Sequence, residues 1–342
     1  MANLLISDVC DMRCPYCFAV HHMQARTGAV FIDLDTFERH LDFLDRSGID
    51  EIRLLGGEPT LHPRFPEIVE RARRRQKIIV IFSHGLLSER ALAAIEAIPP
   101  DECTVLVNTN ATRTPGVPSP AEIERRRAVL LRLGGRALLG FNIYSTDFQL
   151  DPLLPLIEEA GCIREIRLGL AQATLEGGNA YLHPKQYPVV GQKIAQFAGR
   201  AAEYGVKLAF DCGFVRCMFT EHELEMLCAA GTEPHWSCSP ILDIDLHGGV
   251  MHCFSMGRKV SAELSDEVNA ADLRAAFSTQ AEPYRAAGIY RHCSVCRFKH
   301  NGGCSGGCLA ATIRRFRRGS ARIKVPKEVT IAVDTHNTIL NL

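Results

Sequence analysis

Residues 3–17 read NLLISDVCDMRCPYC. Asn3–Ser7 is a short apolar run, the pattern of a buried strand. Three cysteines follow it, Cys10, Cys14 and Cys17, spaced C-x3-C-x2-C. This strand opens a series. Further apolar or β-branched runs lie at Glu51–Leu55, Ile78–Ser83, Thr104–Asn108, Ala137–Tyr144 and Glu165–Ala171. Helical patterns separate them, at Asp35–Ser47, Arg64–Gln76, Leu87–Ala97, Pro120–Leu133 and Leu150–Ala160, and a sixth follows around Pro184–Tyr204. Asp35 and Ser119 stand where helix N-caps are expected. Six strand–helix repeats predict an α/β fold, a parallel sheet with helices outside it. Six units are too few to close an eight-fold barrel, so a partial barrel is expected. In such folds the loops after the strands carry the chemistry.

The chain has 342 residues, 46% of them hydrophobic, enough for one large domain and a smaller one. Lys plus Arg equals Asp plus Glu, at 39 each, so nothing draws the whole molecule to nucleic acid or to an anionic membrane. The basic runs Arg71–Arg75 and Arg314–Arg318 read as solvated helix faces. No apolar run is long enough to span a bilayer, and MANLLISDVCDMRC, with no basic n-region before a long apolar stretch, does not read as a signal peptide, so a cytoplasmic location is expected. Fourteen cysteines in such a chain, clustered at short spacings, point to metal or iron–sulfur ligation rather than to disulfides. Nine of them fall between Cys212 and Cys308. The expected division is therefore a core over 1–205, a cysteine-rich domain over 206–312 and an extension over 313–342.

Three thiolates on one loop can hold three irons of a cubane cluster and leave the fourth open to a small molecule. The other reading is a zinc site completed by His21 or His22. Two features favour the cluster. Tyr16 is placed to pack against an adenine. The second strand runs into Gly56-Gly57-Glu58-Pro59, where the glycines permit close backbone approach. Backbone carbonyls there, with Glu58, suit an ammonium group, whereas an ordinary strand–helix turn needs neither two glycines nor an acid.

The CxxxCxxC loop, the aromatic before its last cysteine and the GGEP segment together resemble the radical S-adenosylmethionine (SAM) superfamily over about residues 1–205. The resemblance implies a partial (β/α)6 TIM-like barrel. It implies a [4Fe–4S] cluster on Cys10, Cys14 and Cys17, with the amino and carboxylate groups of SAM on the open iron. Gly56, Gly57 and Glu58 would lie at the methionyl amine. Ser83, Asn108 and Asn142 would lie near the ribose or carboxylate, or serve as structural caps. The implied chemistry is reductive cleavage of SAM to a 5′-deoxyadenosyl radical that abstracts hydrogen from substrate.

The second cysteine group begins with Cys238-x9-Gly248-x4-Cys253. Between the cysteines, ILDIDLHGGVMHC reads as a hairpin turning at Gly248-Gly249. Cys293-x2-Cys296-x7-Cys304-x3-Cys308 follows, rich in glycine. Alone, this could be a zinc ribbon. After such a core it resembles a SPASM domain, over about residues 210–310, which binds auxiliary [4Fe–4S] clusters. Two departures stand out: the third gap has seven residues rather than five, and no cysteine follows Cys308. The resemblance implies one cluster on Cys217 (or Cys212), Cys238, Cys253 and Cys308. It implies a second on Cys293, Cys296 and Cys304, completed by Cys212 or left open. Cys228 could replace either early cysteine. Cys103 and Cys162 read as buried structural thiols.

Asp211 could take a substrate proton, though capping of the cysteine loop is the simpler role. Trp236 is expected to pack the junction between domains. Family resemblance implies oxidative modification of a peptide or protein side chain, with a reductant such as flavodoxin or ferredoxin. Because the first strand starts at residue 3, a separate leader-peptide-binding protein is expected for a peptide substrate. The alternatives are a small-molecule dehydrogenase or epimerase acting on a sugar or aminocyclitol, and a non-enzymatic zinc protein.

Overall fold

The computed structural model describes residues 1–19, 30–114, 118–175, 177–239 and 241–318. His21, His22 and residues 319–342 lie outside the described residues. All six expected strands form: β1 (Ala2–Ser7), β2 (Glu51–Gly56), β3 (Ile78–Ser83), β4 (Cys103–Asn108), β5 (Ala137–Ile143) and β6 (Glu165–Leu170). They pair in chain order, each parallel to the next. A seventh, β7 (Lys207–Phe210), continues the series beside β6. The resulting arc is a largely parallel, partial barrel.

Alternation along these strands sorts residues onto two faces. Leu4, Ile52, Leu54, Ile79, Ile81, Val105, Leu139, Ile166 and Leu168 are fully buried, toward the helices. Each contributes about 1.5–3 kcal/mol over an exposed position. The intervening positions, among them Asn3, Arg53, Phe82, Asn108, Asn142 and Arg167, face the inside of the arc, where they line a cavity.

Helix boundaries follow the expected pattern with local differences. Helix Leu34–Arg46 is capped by Asp33 rather than Asp35: its carboxylate accepts from the Thr36 N–H at 2.8 Å. Asp35 sits inside the first turn, where it answers the helix dipole instead. Helix Pro120–Leu133 starts at Ser119 with a full capping box to Glu122. The basic run Arg71–Arg75 is a paired surface. Arg71 meets Glu38, Arg75 meets Glu38, Asp42 and Asp45, Arg73 meets Glu102 and Arg74 meets Glu70.

The sheet also continues on its other edge. β8 (Asp243–Ile244) pairs parallel to β1, Asn3 opposite Asp243. β9 (Gly249–Met251) and β10 (Ser261–Glu263) follow antiparallel. The hairpin expected between Cys238 and Cys253 therefore extends the main sheet, with β10 as its edge strand. Its turn uses Gly248 at φ +96°, and the Asp245 carboxylate accepts from the Gly249 N–H at 2.9 Å. No helix among the described residues is long and apolar enough to cross a membrane.

Candidate active site

The cysteine loop leaves β1 and settles on the end of β2. Gly57 N–H donates to the Ser7 carbonyl and Glu58 N–H to the Val9 carbonyl, both at 2.7 Å. The glycines are required here. A Cβ on Gly56, at φ +144°, would stand 2.0 Å from the Ser7 oxygen, and one on Gly57 would stand 2.3 Å from that of Val9. Their close approach is thus to the cysteine loop itself. The loop is held on its other sides too. Arg13 N–H donates to the Thr112 carbonyl at 2.8 Å, and Ala180 N–H to that of Pro15 at 2.7 Å.

Glu58 is buried, and both its oxygens are engaged. One accepts from the Thr60 hydroxyl at 2.6 Å and the other from the His84 N–H at 2.9 Å. The His84 ring lies 2.9 Å from Asp11 and 3.3 Å from Glu58. Burial opposes the imidazolium, but the two carboxylates outweigh it and raise its pKa. His84 and then Arg113 hold the Asp11 carboxyl far below its usual range. Arg126, also buried, donates to the His84 and Ala111 carbonyls, each at 2.9 Å. Glu58 therefore joins the β2 end to the β3 turn.

Cys10, Cys14 and Cys17 open onto one cavity of about 290 Å³. Tyr16, Gly56, Gly57, Glu58, Ser83, Asn108 and Asn142 line it as well. The Tyr16 hydroxyl donates to Asn110 at 3.2 Å, and its ring rests against Tyr144 at 5.5 Å. Burial, then the Cys14 thiol, push the phenol up. Ser83 accepts from the Gly85 N–H at 3.0 Å and shapes its own turn. Asn142 donates to Asn108 at 3.0 Å across β5 and β4. Glycine clears the space for these amides: a Cβ on Gly169 would stand 2.5 Å from the Asn142 oxygen.

The same cavity reaches the second cysteine group. Asp211, Cys212, Cys238, Cys253 and Cys308 form its far wall. Cys217, Cys293, Cys296 and Cys304 do not line it. Cys103 and Cys162 are buried thiols, and Cys228 is exposed. Trp236 packs at 5.4 Å from Phe219, and its carbonyl accepts from the Ser305 N–H at 2.8 Å, joining the two segments.

Four cavity residues escaped sequence reasoning: Arg53, Phe82, Arg167 and Asp243. Arg167 pairs with Asp211 and sits 5.1 Å from the Phe82 ring centre, with Arg53 5.9 Å from it. Asp243 accepts from Asn3 at 2.5 Å and from the Phe254 N–H at 2.6 Å. Burial raises its carboxyl to about 7. A signal was present. EIRLL and EIRLG each set an arginine inside an apolar strand of a parallel sheet, where only an interior cavity accommodates it.

The first cysteine group fits a cluster. Three thiols face one cavity, and Cys10 Sγ accepts the Met12 N–H at 3.4 Å, a bond that strengthens when the sulfur is anionic. Burial first of all raises the Cys10 and Cys14 thiols, so a metal must displace their protons. Among the described residues no three His, Cys, Asp or Glu side chains converge on a single ion.

Residues 4–113 match the family model described as the Radical SAM superfamily. The GTP 3′,8-cyclase of Chlorobaculum tepidum is 32% identical over 95 residues, 27% of this chain and 28% of the cyclase. The match thus spans under a third of that relative. SuiB of Streptococcus suis, solved with SAM bound, superposes with a TM-score of 0.65 and 14% identity, over 92% of this chain and 74% of its own. Native anSMEcpe with bound AdoMet gives 0.64 and 15%, over 94% and 92%. These likenesses establish the fold. The cofactors that the family and the SAM-bound structures imply are a [4Fe–4S] cluster and SAM.

Proposed function

We propose that the chain is a radical SAM enzyme that oxidatively modifies a peptide or protein side chain. The observation that carries this reading is the shared cavity: the Cys10–Cys17 loop and a second set of cysteines open on the same space. Cys10, Cys14 and Cys17 hold the core cluster. Gly56, Gly57, Glu58, Tyr16, Ser83, Asn108 and Asn142 form the SAM side of the cavity. When bound, cluster and SAM supply a 5′-deoxyadenosyl radical that takes one hydrogen atom from the substrate.

The chain's own task is to hold the substrate between the two walls and exclude water. Arg167 and Asp211, ion-paired beside the Phe82 ring, are polar anchors on the cavity wall, with Arg53 and Asp243 near them. The far-wall cysteines would hold auxiliary clusters, which would supply an electron acceptor for the substrate radical, and Asp211 beside them would take its proton. Support for a peptide substrate comes from the neighbours: SuiB has been solved with its precursor peptide SuiA, and anSMEcpe with the Cp18Cys peptide. A reductant such as flavodoxin or ferredoxin and a separate leader-binding protein belong to the same proposal.

The test is anaerobic reconstitution with iron and sulfide, then incubation with SAM, reductant and deuterated peptides encoded beside the gene. Deuterium appearing in 5′-deoxyadenosine supports the proposal. SAM cleavage with no transfer from any such peptide, but with transfer from a sugar or aminocyclitol, selects the small-molecule reading. Zinc without iron or sulfide, and intact SAM, overturns both.

A further inference from the structure

The sequence pattern leaves the auxiliary cysteines unsorted, because residues 309–342 hold no counterpart of the SPASM pattern's last cysteine. We propose that Cys217 takes its place: Cys217, Cys293, Cys296 and Cys304 form an outer cluster site, and Cys212, Cys238, Cys253 and Cys308 an inner one. The inference rests on the auxiliary-cluster part of the proposed function and assigns its ligands. Of the two early cysteines that the resemblance allows beside the hairpin pair, it selects Cys212 and frees Cys217 for the outer site.

The cavity wall makes the first division. Cys212, Cys238, Cys253 and Cys308 all line it, and the other four do not. Cys304 instead lines a separate surface cleft with Trp236 and Lys299. The segment between Cys212 and Cys217 explains how two near neighbours in sequence part. Gly213 turns at φ +98°, and Phe214 and Val215 then dive into the core, Phe214 stacking on Phe210 at 4.6 Å. Cys217 emerges beyond them on the short turn Arg216–Met218.

That turn is fixed against the CxxC loop. The Arg216 guanidinium lies 3.9 Å from the centre of the Phe298 ring, between Cys296 and Cys304 in the chain. Val215 packs on Gly307, where an added Cβ would stand 3.1 Å from its methyl. The loop itself is tightly wound. The Cys296 N–H donates to the Cys293 carbonyl at 3.3 Å, and the Gly306 N–H to Cys304 Sγ at 3.4 Å. A Cβ on Gly288 would stand 2.8 Å from Cys293 Sγ. Cys228 is exposed, as Cys212 and Cys217 are, but it lies on helix Glu221–Ala229, beyond the Arg216–Met218 turn that docks on Phe298.

The pairing is tested on the reconstituted full chain by iron counting and potentiometric EPR. The variants are Cys217→Ala, Cys217→Ser, Cys212→Ala, Cys228→Ala and the pairs Cys293→Ala/Cys296→Ala and Cys238→Ala/Cys253→Ala. Wild type should hold about twelve irons, three four-iron clusters. Cys217→Ala should abolish or shift the signal that disappears in the Cys293/Cys296 pair and leave the Cys238/Cys253 signal alone. Cys212→Ala should do the reverse, and Cys228→Ala neither. Cys217→Ser, which keeps an oxygen ligand, should shift the same signal as Cys217→Ala and so exclude misfolding as the cause. If Cys217→Ala alters the Cys238/Cys253 signal, or leaves both unchanged, the pairing is wrong. About four irons in wild type, all lost with Cys10, Cys14 and Cys17, would overturn the pairing while the radical SAM reading stands.

Discussion

The chain builds two cysteine regions by opposite means. The first packs Cys10, Cys14 and Cys17 into one loop at the end of β1, so the three thiols are neighbours before the chain folds. The second spreads its cysteines from Cys212 to Cys308, from just after β7, past the β8–β9 hairpin, to a glycine-rich loop. Local spacing reveals the first site. The cysteines of the second region are brought together only once β8 has paired with β1 and the Arg216 turn has docked on Phe298. Short loops close at small entropic cost, whereas sites joined over long separations need the whole fold to hold their ends together.

The strongest challenge to this contrast removes the local site outright. Cys10→Ala/Cys14→Ala/Cys17→Ala should abolish SAM cleavage and lose about four irons, while iron bound by the far cysteines remains. Iron loss from both regions together would mean that the two sites do not assemble independently.

A backbone probe separates the regions next. Gly56→Ala sets a methyl 2.0 Å from the Ser7 oxygen, and Gly288→Ala sets one 2.6 Å from the Cβ of Cys293 in the second region. Both residues have positive φ, +144° and +64°. Each change should cost about 2–4 kcal/mol, read by thermal unfolding. Gly56→Ala should also impair SAM binding, and Gly288→Ala should weaken only the auxiliary iron. Equal effects on both readouts would erase the distinction.

The seam between the regions carries a pH signature. His40, on helix Leu34–Arg46, is buried beside the hairpin, 3.9 Å from the Cβ position of Gly248, and neither ring nitrogen has a partner among the described residues. Burial lowers its pKa to about 4, against about 6.5 when unfolded. The folded state therefore resists a proton that the unfolded state accepts. Stability is complete above about pH 6.5 and is lost as pH falls toward 4, by on the order of 3 kcal/mol. His40→Leu should flatten that slope in melts recorded from pH 7 to pH 4. The smallest effect is a control. Gly199 is exposed in helix Tyr187–Glu203 with nothing near its Cβ position, so Gly199→Ala should stabilise by about 0.5–1 kcal/mol and leave both iron pools intact.

Much of the frame could be read from the residues. The six strands appear within a residue or so of their expected ends, because apolar runs of five to eight residues between helical patterns have few other uses. Ser119 was readable as a cap, since Pro and Glu follow at the right positions. Asp33 was not, because Asp35 competes two residues on. The GGEP segment was visible, but its reason was not: Gly56 and Gly57 yield to the carbonyls of Ser7 and Val9, contacts between residues about fifty apart in the chain.

Consecutive residues alone set the period-two and helical patterns, the three-cysteine loop and the GGEP turn, since each is encoded within a short stretch. Folding settled what meets across the interior: that Arg53, Arg167, Asp211 and Asp243 face one cavity, that Cys212 lines it while Cys217 does not, and that the hairpin extends the main sheet. Those are products of strand order and register. A shift of one residue in register would turn the same side chains to the other face.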